Sequence, residues 1–398
     1  MVTKKDGDFL RVIASLAVII VHCVHFWVEE YAKNQTFGSL PYFTTYLDQI
    51  SRFTVPLFLF LSGFGLTAKY VGQPLNISKY YKSRILKIFI PFLAWSAISS
   101  FRHVDYFLSL PWKFEFTRSL TIVLRFLFIE GFDYQYYFLI VLFQLYLLFP
   151  FVYRLGRSKL CFVLFLILHL ILMSPMETFT EALGKSSIAL HPNWLVLHWF
   201  FCYAGMFVAW NQEWIEKIVE RYSVKQALAF WTFCYALINL ELQINLAYGK
   251  LLMNIDHCNR WSIMLYCAAS LLLFIKLKPW LEKHIFSRPN FQFIFTHMAP
   301  YTFFVYLVHT HFLRWVEYSF WEVSLFDLVS RIFMVTACSY AMAWFVQWLL
   351  EDFPKLRYAL ALPKTKLDWK GLPGIAWLML HKPESSKPSR SSREAEFG

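Results

Sequence analysis

The chain has 398 residues, 58% of them hydrophobic and only 16% charged, Phe alone occurring 43 times, and its mean hydropathy is +0.45. That balance excludes a disordered chain and an ordinary soluble domain. The formal charge of +12 comes from Lys and Arg gathered at the ends of apolar runs, which reads as membrane topology and not as a nucleic-acid footprint. The seven cysteines are odd in number, contain no CxxC and fall mostly inside apolar segments, so they read as small buried hydrophobes, not as a disulfide framework or zinc site.

A helix needs about 20 mostly apolar residues to cross a bilayer. Ten segments qualify, at 8–31, 50–72, 80–100, 134–155, 158–175, 193–211, 225–244, 260–278, 296–316 and 327–350. The predicted fold is therefore all-α, a polytopic membrane bundle of about ten helices occupying residues 1–354, followed by a tail at 355–398. The first segment is long and lacks a small-residue cleavage site, so it reads as a retained signal anchor. Within it Arg11 and His22 are eleven residues apart. Eleven steps of about 100° make three turns plus roughly 20°, so both side chains share one helix face, about 16 Å apart along the axis. Ionisable groups in a spanning helix are costly and usually face a bundle interior or cavity.

In the second segment, LSGF places Ser62 and Gly63 at mid-helix, and Gly63 and Gly65 are expected to permit close helix packing. The third carries Arg84 and Lys87, i and i+3 neighbours on one face, with Pro91 beyond them as a kink site. Residues 101–133 form the longest connection, rich in charge, and RSLTIVLRFLFIEGF within it suggests a re-entrant or interfacial helix. Glu241 falls inside the seventh apolar segment and needs a partner or a wet cavity. Tyr306 and His309 form a polar i, i+3 pair in the ninth. The tail holds an apolar GLPGIAWLML between lysines, suited to the inner leaflet, and ends in a Ser/Pro-rich stretch expected to be disordered.

Alternate loops counted together, with the N-terminus inside, hold 27 of the 38 Lys and Arg residues, and the opposite set holds 11. The positive-inside rule then puts both termini in the cytoplasm.

His22 is the strongest candidate for chemistry, because a neutral imidazole can take the proton from an attacking hydroxyl. The alternative is a packed histidine bonded to a neighbouring helix, and His25 is the nearest rival. A His22/His25 metal site lacks carboxylate partners nearby, so no metal is expected. Arg11, Arg84 and Lys87 are open to a second reading as topology anchors. Tyr306 and His309 suit either a site role or a structural hydrogen bond.

Several motifs in order now carry a resemblance. They are Arg11-x10-His22, VPLFLFLSGFGLT at 55–67, KYYKSRILKIFIP at 79–91, YYFLIVLFQLYLLFP at 136–150 and FVYLVHTHF at 304–312, with EDFP closing at Pro354. Together they resemble the acyltransferase 3 family of polytopic membrane proteins. Tyr137 stands where that family often has Trp, and Lys87 where its paired arginines usually place a second Arg, which keeps the charge but loses the planar fork. The resemblance implies an O-acyltransferase of the bacterial plasma membrane. Its donor would be acyl-CoA, most often acetyl-CoA, and its acceptor a hydroxyl on a glycan or lipid-linked glycan, as in polysaccharide O-acetylation. It implies His22 as general base; Arg11, Arg84 and Lys87 would then hold the donor phosphates, and Tyr306 and His309 would orient the acceptor or stabilise the thioester carbonyl. The competing reading is a transporter or polysaccharide exporter without acyl-transfer activity. Such proteins often show internal repeats or paired broken helices, and neither is visible in this sequence.

Overall fold

No proline interrupts residues 4–34, and α1 (Lys4–Asn34) runs unbroken through them, carrying Arg11 near its start and His22 in its second half. At 1.5 Å per residue it is roughly 46 Å long, more than a bilayer core needs. The computed structural model describes residues 3–34, 36, 38–109, 116–173, 195–247, 260–288, 291, 293–317 and 324–363, and among these there is no strand. The apolar part of the expected tail, GLPGIAWLML, lies outside the described residues, as does Cys258.

Seven helical stretches are long and apolar enough to cross a membrane: Lys5–Asn34, Leu40–Tyr70, Ile77–Ser109, Tyr134–Arg157, Val224–Ile244, Trp261–Phe286 and Leu325–Leu349. The other three expected spans fall on shorter apolar helices, Lys159–Met173, Leu195–Trp210 and Thr302–Glu317, of 15, 16 and 16 residues. One end of each of these helices lies where the described residues end, and Thr302–Glu317 continues from helical turns at 294–301, so the seven long stretches are a count among the described residues. Along Lys159–Met173 the side chains of Leu160, Val163, Leu164, Ile167 and Ile171 are exposed, as on a face turned to lipid. Thr302–Glu317 is the opposite case. Seven consecutive residues, Phe304 to Thr310, are buried, so protein encloses this helix on all sides.

The second expected span begins earlier than its hydropathy suggests. Ser39 caps α2 (Leu40–Ser51), its hydroxyl accepting from the Tyr42 N–H at 3.3 Å, and Pro41 sits in the first turn. A bend at residues 52–53 leads into α3 (Thr54–Tyr70). The polar stretch that hid α2 is buried and paired. Arg52 donates to both oxygens of Asp48 at 2.8 and 2.7 Å, and Gln49 donates to Asp48 at 2.7 Å. Arg260 bonds Gln49 and lies 3.7 Å from Glu241, which also accepts from Ser262. Glu241 thus has its partners, and each buried charge in this network faces an opposite one.

In the third span α4 (Ile77–Arg84) is capped by Asn76, whose side chain accepts from the Lys79 N–H at 2.9 Å. A π-helical turn, Ile85–Phe89, follows, the N–H of Ile90 reaching back to the Ile85 carbonyl, and α5 (Ile90–Ser100) continues from there. Pro91 cannot donate to the preceding turn, and the widened turn comes directly before it. The charged stretch at 116–130 forms a short helix, Phe116–Arg125, and a second π-helical turn, well short of a span.

Between α3 and the helix Leu195–Trp210 the backbones approach closely. A Cβ on Gly63 would lie 1.9 Å from the Cys202 carbonyl oxygen, and one on Gly205 would lie 2.1 Å from that of Phe60. Lipid gives apolar side chains little reason to hide from it, so small residues that let backbones touch are a main source of helix association in membranes. Gly65 meets nothing within 4 Å, so the packing role expected for it belongs to Gly205 instead.

Residues 355–363, assigned to the tail by sequence, pack against the bundle. Leu362 is buried in the main core cluster, and the Trp95 indole donates to the Leu360 carbonyl at 3.3 Å. Ala361, at φ 68°, turns the chain there.

Candidate active site

The enclosed helix Thr302–Glu317 brings the polar pair of the ninth segment against α1. The His22 and His309 rings lie 5.2 Å apart at 30°, and the Tyr134 ring lies 4.9 Å from His22, edge-on. His309 is fully buried, and its Nδ1 sits 2.8 Å from the Tyr306 carbonyl and 3.2 Å from that of Val305. A carbonyl only accepts, so Nδ1 carries the hydrogen. In the neutral ring Nε2 is then a bare lone pair, and it has no hydrogen-bond partner among the described residues. His22 is half-buried, and neither of its ring nitrogens is hydrogen-bonded to another described residue. His25 turns elsewhere, half-exposed, 3.5 Å from Glu29 on its own helix.

On the side of these rings toward the start of α1 lies a cavity of about 420 Å³. Arg11, Lys87, Ser62 and Tyr306 all contribute to its wall. Arg11 is also held by Asp8 at 2.7 Å. Lys87 reaches the wall from the π-helical turn. Arg84 does not line the cavity. Its guanidinium lies 5.5 Å from the Tyr146 ring and 5.9 Å from the Tyr80 ring, and Tyr146, which does line the cavity, hydrogen-bonds Ser62. Arg84 therefore stands behind the wall and supports it.

His22 is not on that wall. Tyr306 stands between, its ring 5.8 Å from His309, and its hydroxyl donates to the Gln135 carbonyl. Both Arg11 and His22 thus face the segment around Thr302–Glu317, Arg11 toward its start and His22 one turn past Tyr306, as the eleven-residue spacing requires. Tyr134, Gln135, Tyr146 and Tyr358 were not singled out by sequence. Tyr134 and Gln135 follow the only glycine of the 101–133 connection, a turn signal that marks where the chain re-enters the bundle. Nothing local marks Tyr358, which joins the cavity wall from beyond the last long helix.

A family model described as an acyltransferase domain (Acyl_transf_3) matches residues 6–348. Neither the curated proteins nor the solved structures compared with the chain match it. The match runs from the first turn of α1 to the end of the last long helix and takes in every helix that lines the His22 site, so the chain belongs to the acyltransferase 3 family and is an integral membrane acyltransferase.

Proposed function

We propose that the protein moves an acyl group, most simply acetyl, from acyl-CoA to a hydroxyl of a glycan or lipid-linked glycan of the bacterial envelope. The observation that carries this reading is the cavity walled by Arg11 and Lys87 at the end of the bundle where α1 begins, with Tyr306, His309 and His22 in sequence beyond it. Its volume of about 420 Å³ is in the usual range for small-molecule sites. The excess of basic residues at that end supports a cytoplasmic position for it in a plasma-membrane protein, on the side where acyl-CoA is supplied.

In this reading Lys87 and Arg11 hold the donor phosphates through charge-assisted hydrogen bonds. His22 removes the proton from the acceptor hydroxyl as its oxygen attacks the thioester carbonyl. The C–S bond then breaks, and the leaving thiolate takes the proton back from the imidazolium. His309, anchored by two helix carbonyls, fixes one face of His22. Tyr306, whose single O–H is already bonded to Gln135, positions the wall between cavity and base.

Two measurements test the reading. Purified protein given radiolabelled acetyl-CoA should cleave the thioester and pass label to a hydroxyl acceptor; a transporter or exporter would leave the thioester intact. In a coenzyme A titration, Lys87→Ala should lose about 1.5–3 kcal/mol, roughly ten- to a hundredfold in affinity. Arg84→Ala should lose less, because Arg84 acts through Tyr146, and Lys87→Arg should be tolerated. Equal donor affinity in wild type and Lys87→Ala would move the donor site elsewhere.

A further inference from the structure

At the other end of the enclosed helix, away from the cavity, a second charged cluster surrounds Asp133. Gly131, at φ 83°, turns the chain where a side chain would be strained, and two residues later Asp133 is fully buried. One carboxylate oxygen accepts from Arg102 and from Ser99, the latter at 2.9 Å, and the other accepts from Arg314. His311 stands 4.0 Å from the same carboxylate.

The charges do not cancel. Two permanent cations share one carboxylate, and no second carboxylate among the described residues lies within ion-pairing distance of either. Glu317, three residues past Arg314, pairs with neither guanidinium; it interacts with Arg331 and His25 and also lies near Tyr134. Asp133 has acceptor sites enough to brace both guanidiniums, but one negative charge still leaves the trio with a net positive charge. Here Arg102 and Arg314 keep 32% and 38% of their side chains exposed, so both retain donors for something else.

The cluster also connects to the base. The Arg314 guanidinium lies 5.9 Å from the Tyr134 ring, and that ring lies 4.9 Å from His22. Donor cavity and cationic cluster therefore approach His22 from opposite ends of the bundle. We propose that Arg102 and Arg314 form the docking point for an oxyanion, carboxylate or phosphate, carried by the hydroxyl acceptor. With the anion on the guanidiniums, the sugar lies along Tyr134 with a hydroxyl toward His22. This assignment rests on the acyl-transfer reading above and names its acceptor class, an anionic glycan unit.

The test is a binding titration of the purified full chain with methyl glucoside, methyl glucuronide and methyl glucoside 6-phosphate, run apart from the acetyl-CoA cleavage assay. At least one charged sugar should bind about tenfold or more tightly than the neutral one, as expected for a charge-assisted contact, and which of the two does so separates carboxylate from phosphate. Arg102→Gln and Arg314→Gln should erase that advantage, and Arg102→Lys should keep part of it. The advantage in wild type should shrink as salt rises, which decides the matter if the Gln variants do not fold. Equal binding of all three sugars, a preference unaffected by salt, or equal loss for neutral and charged sugars in the variants would overturn the proposal. Absence of thioester cleavage would instead strike at the acyl-transfer reading, leaving the anion result to stand or fall separately.

Discussion

His22→Ala is expected to abolish acyl transfer while the protein still folds and still binds coenzyme A. A positioned general base contributes about 10²- to 10⁴-fold, and no other described imidazole replaces it. His309 has a bare Nε2 but is fully buried, whereas His22 is only half-buried and open to an incoming hydroxyl, and His25 is turned toward Glu29. The loss should appear in kcat and leave donor affinity near wild type, since His22 lies off the cavity wall. Truncation removes ring contacts with His309 and Tyr134 but leaves no buried charge unpaired, so the melting temperature should fall only slightly. His25→Ala should retain most activity. If His25→Ala proved inactive and His22→Ala active, the base would be misassigned.

The second large effect is structural. Gly63→Ala places a methyl group where the Cys202 carbonyl oxygen would be only 1.9 Å away, and Gly205→Ala does the same against Phe60 at 2.1 Å. No side-chain rotation relieves a clash with backbone, so the two helices must separate by an ångström or more. Overpacking of this kind costs about 1–3 kcal/mol, and separation would also move Ser62 and Phe58 on the cavity wall. Gly65→Ala is the control: its Cβ meets nothing, and removing a helical glycine should be neutral or stabilising by about 0.5–1 kcal/mol. Thermal unfolding of the three purified variants checks this. A Gly63→Ala protein as stable as Gly65→Ala would mean that the close approach of the two helices is not a source of stability.

Parts of the site were legible because they are local. The Arg11–His22 spacing depends only on helix geometry, and both residues do face the same neighbouring segment. The Tyr306–His309 pair follows the same logic, and Lys87 lies on the cavity wall. Arg84 shows where such reasoning stops. Its i, i+3 relation to Lys87 assumes a regular α-helix, but the π-helical turn that begins directly after it adds a residue, and Arg84 ends against Tyr80 and Tyr146 instead of on the wall. The apolar runs near 158–175, 193–211 and 296–316 each fall on a helix among the described residues.

By itself, then, the sequence determined the all-α membrane class, the helical face shared by Arg11 and His22, and the family, because hydropathy, period and motif order are properties of a linear chain. The tertiary structure alone decided that α2 is a helix, that Glu241 is answered by Arg260 and Ser262, and that Tyr134 rests on His22. It also decided that Asp133 gathers Arg102 from 31 positions away and Arg314 from 181. A buried charge must find an opposite charge in space, and nothing in the local pattern of residues encodes which distant helix will supply it.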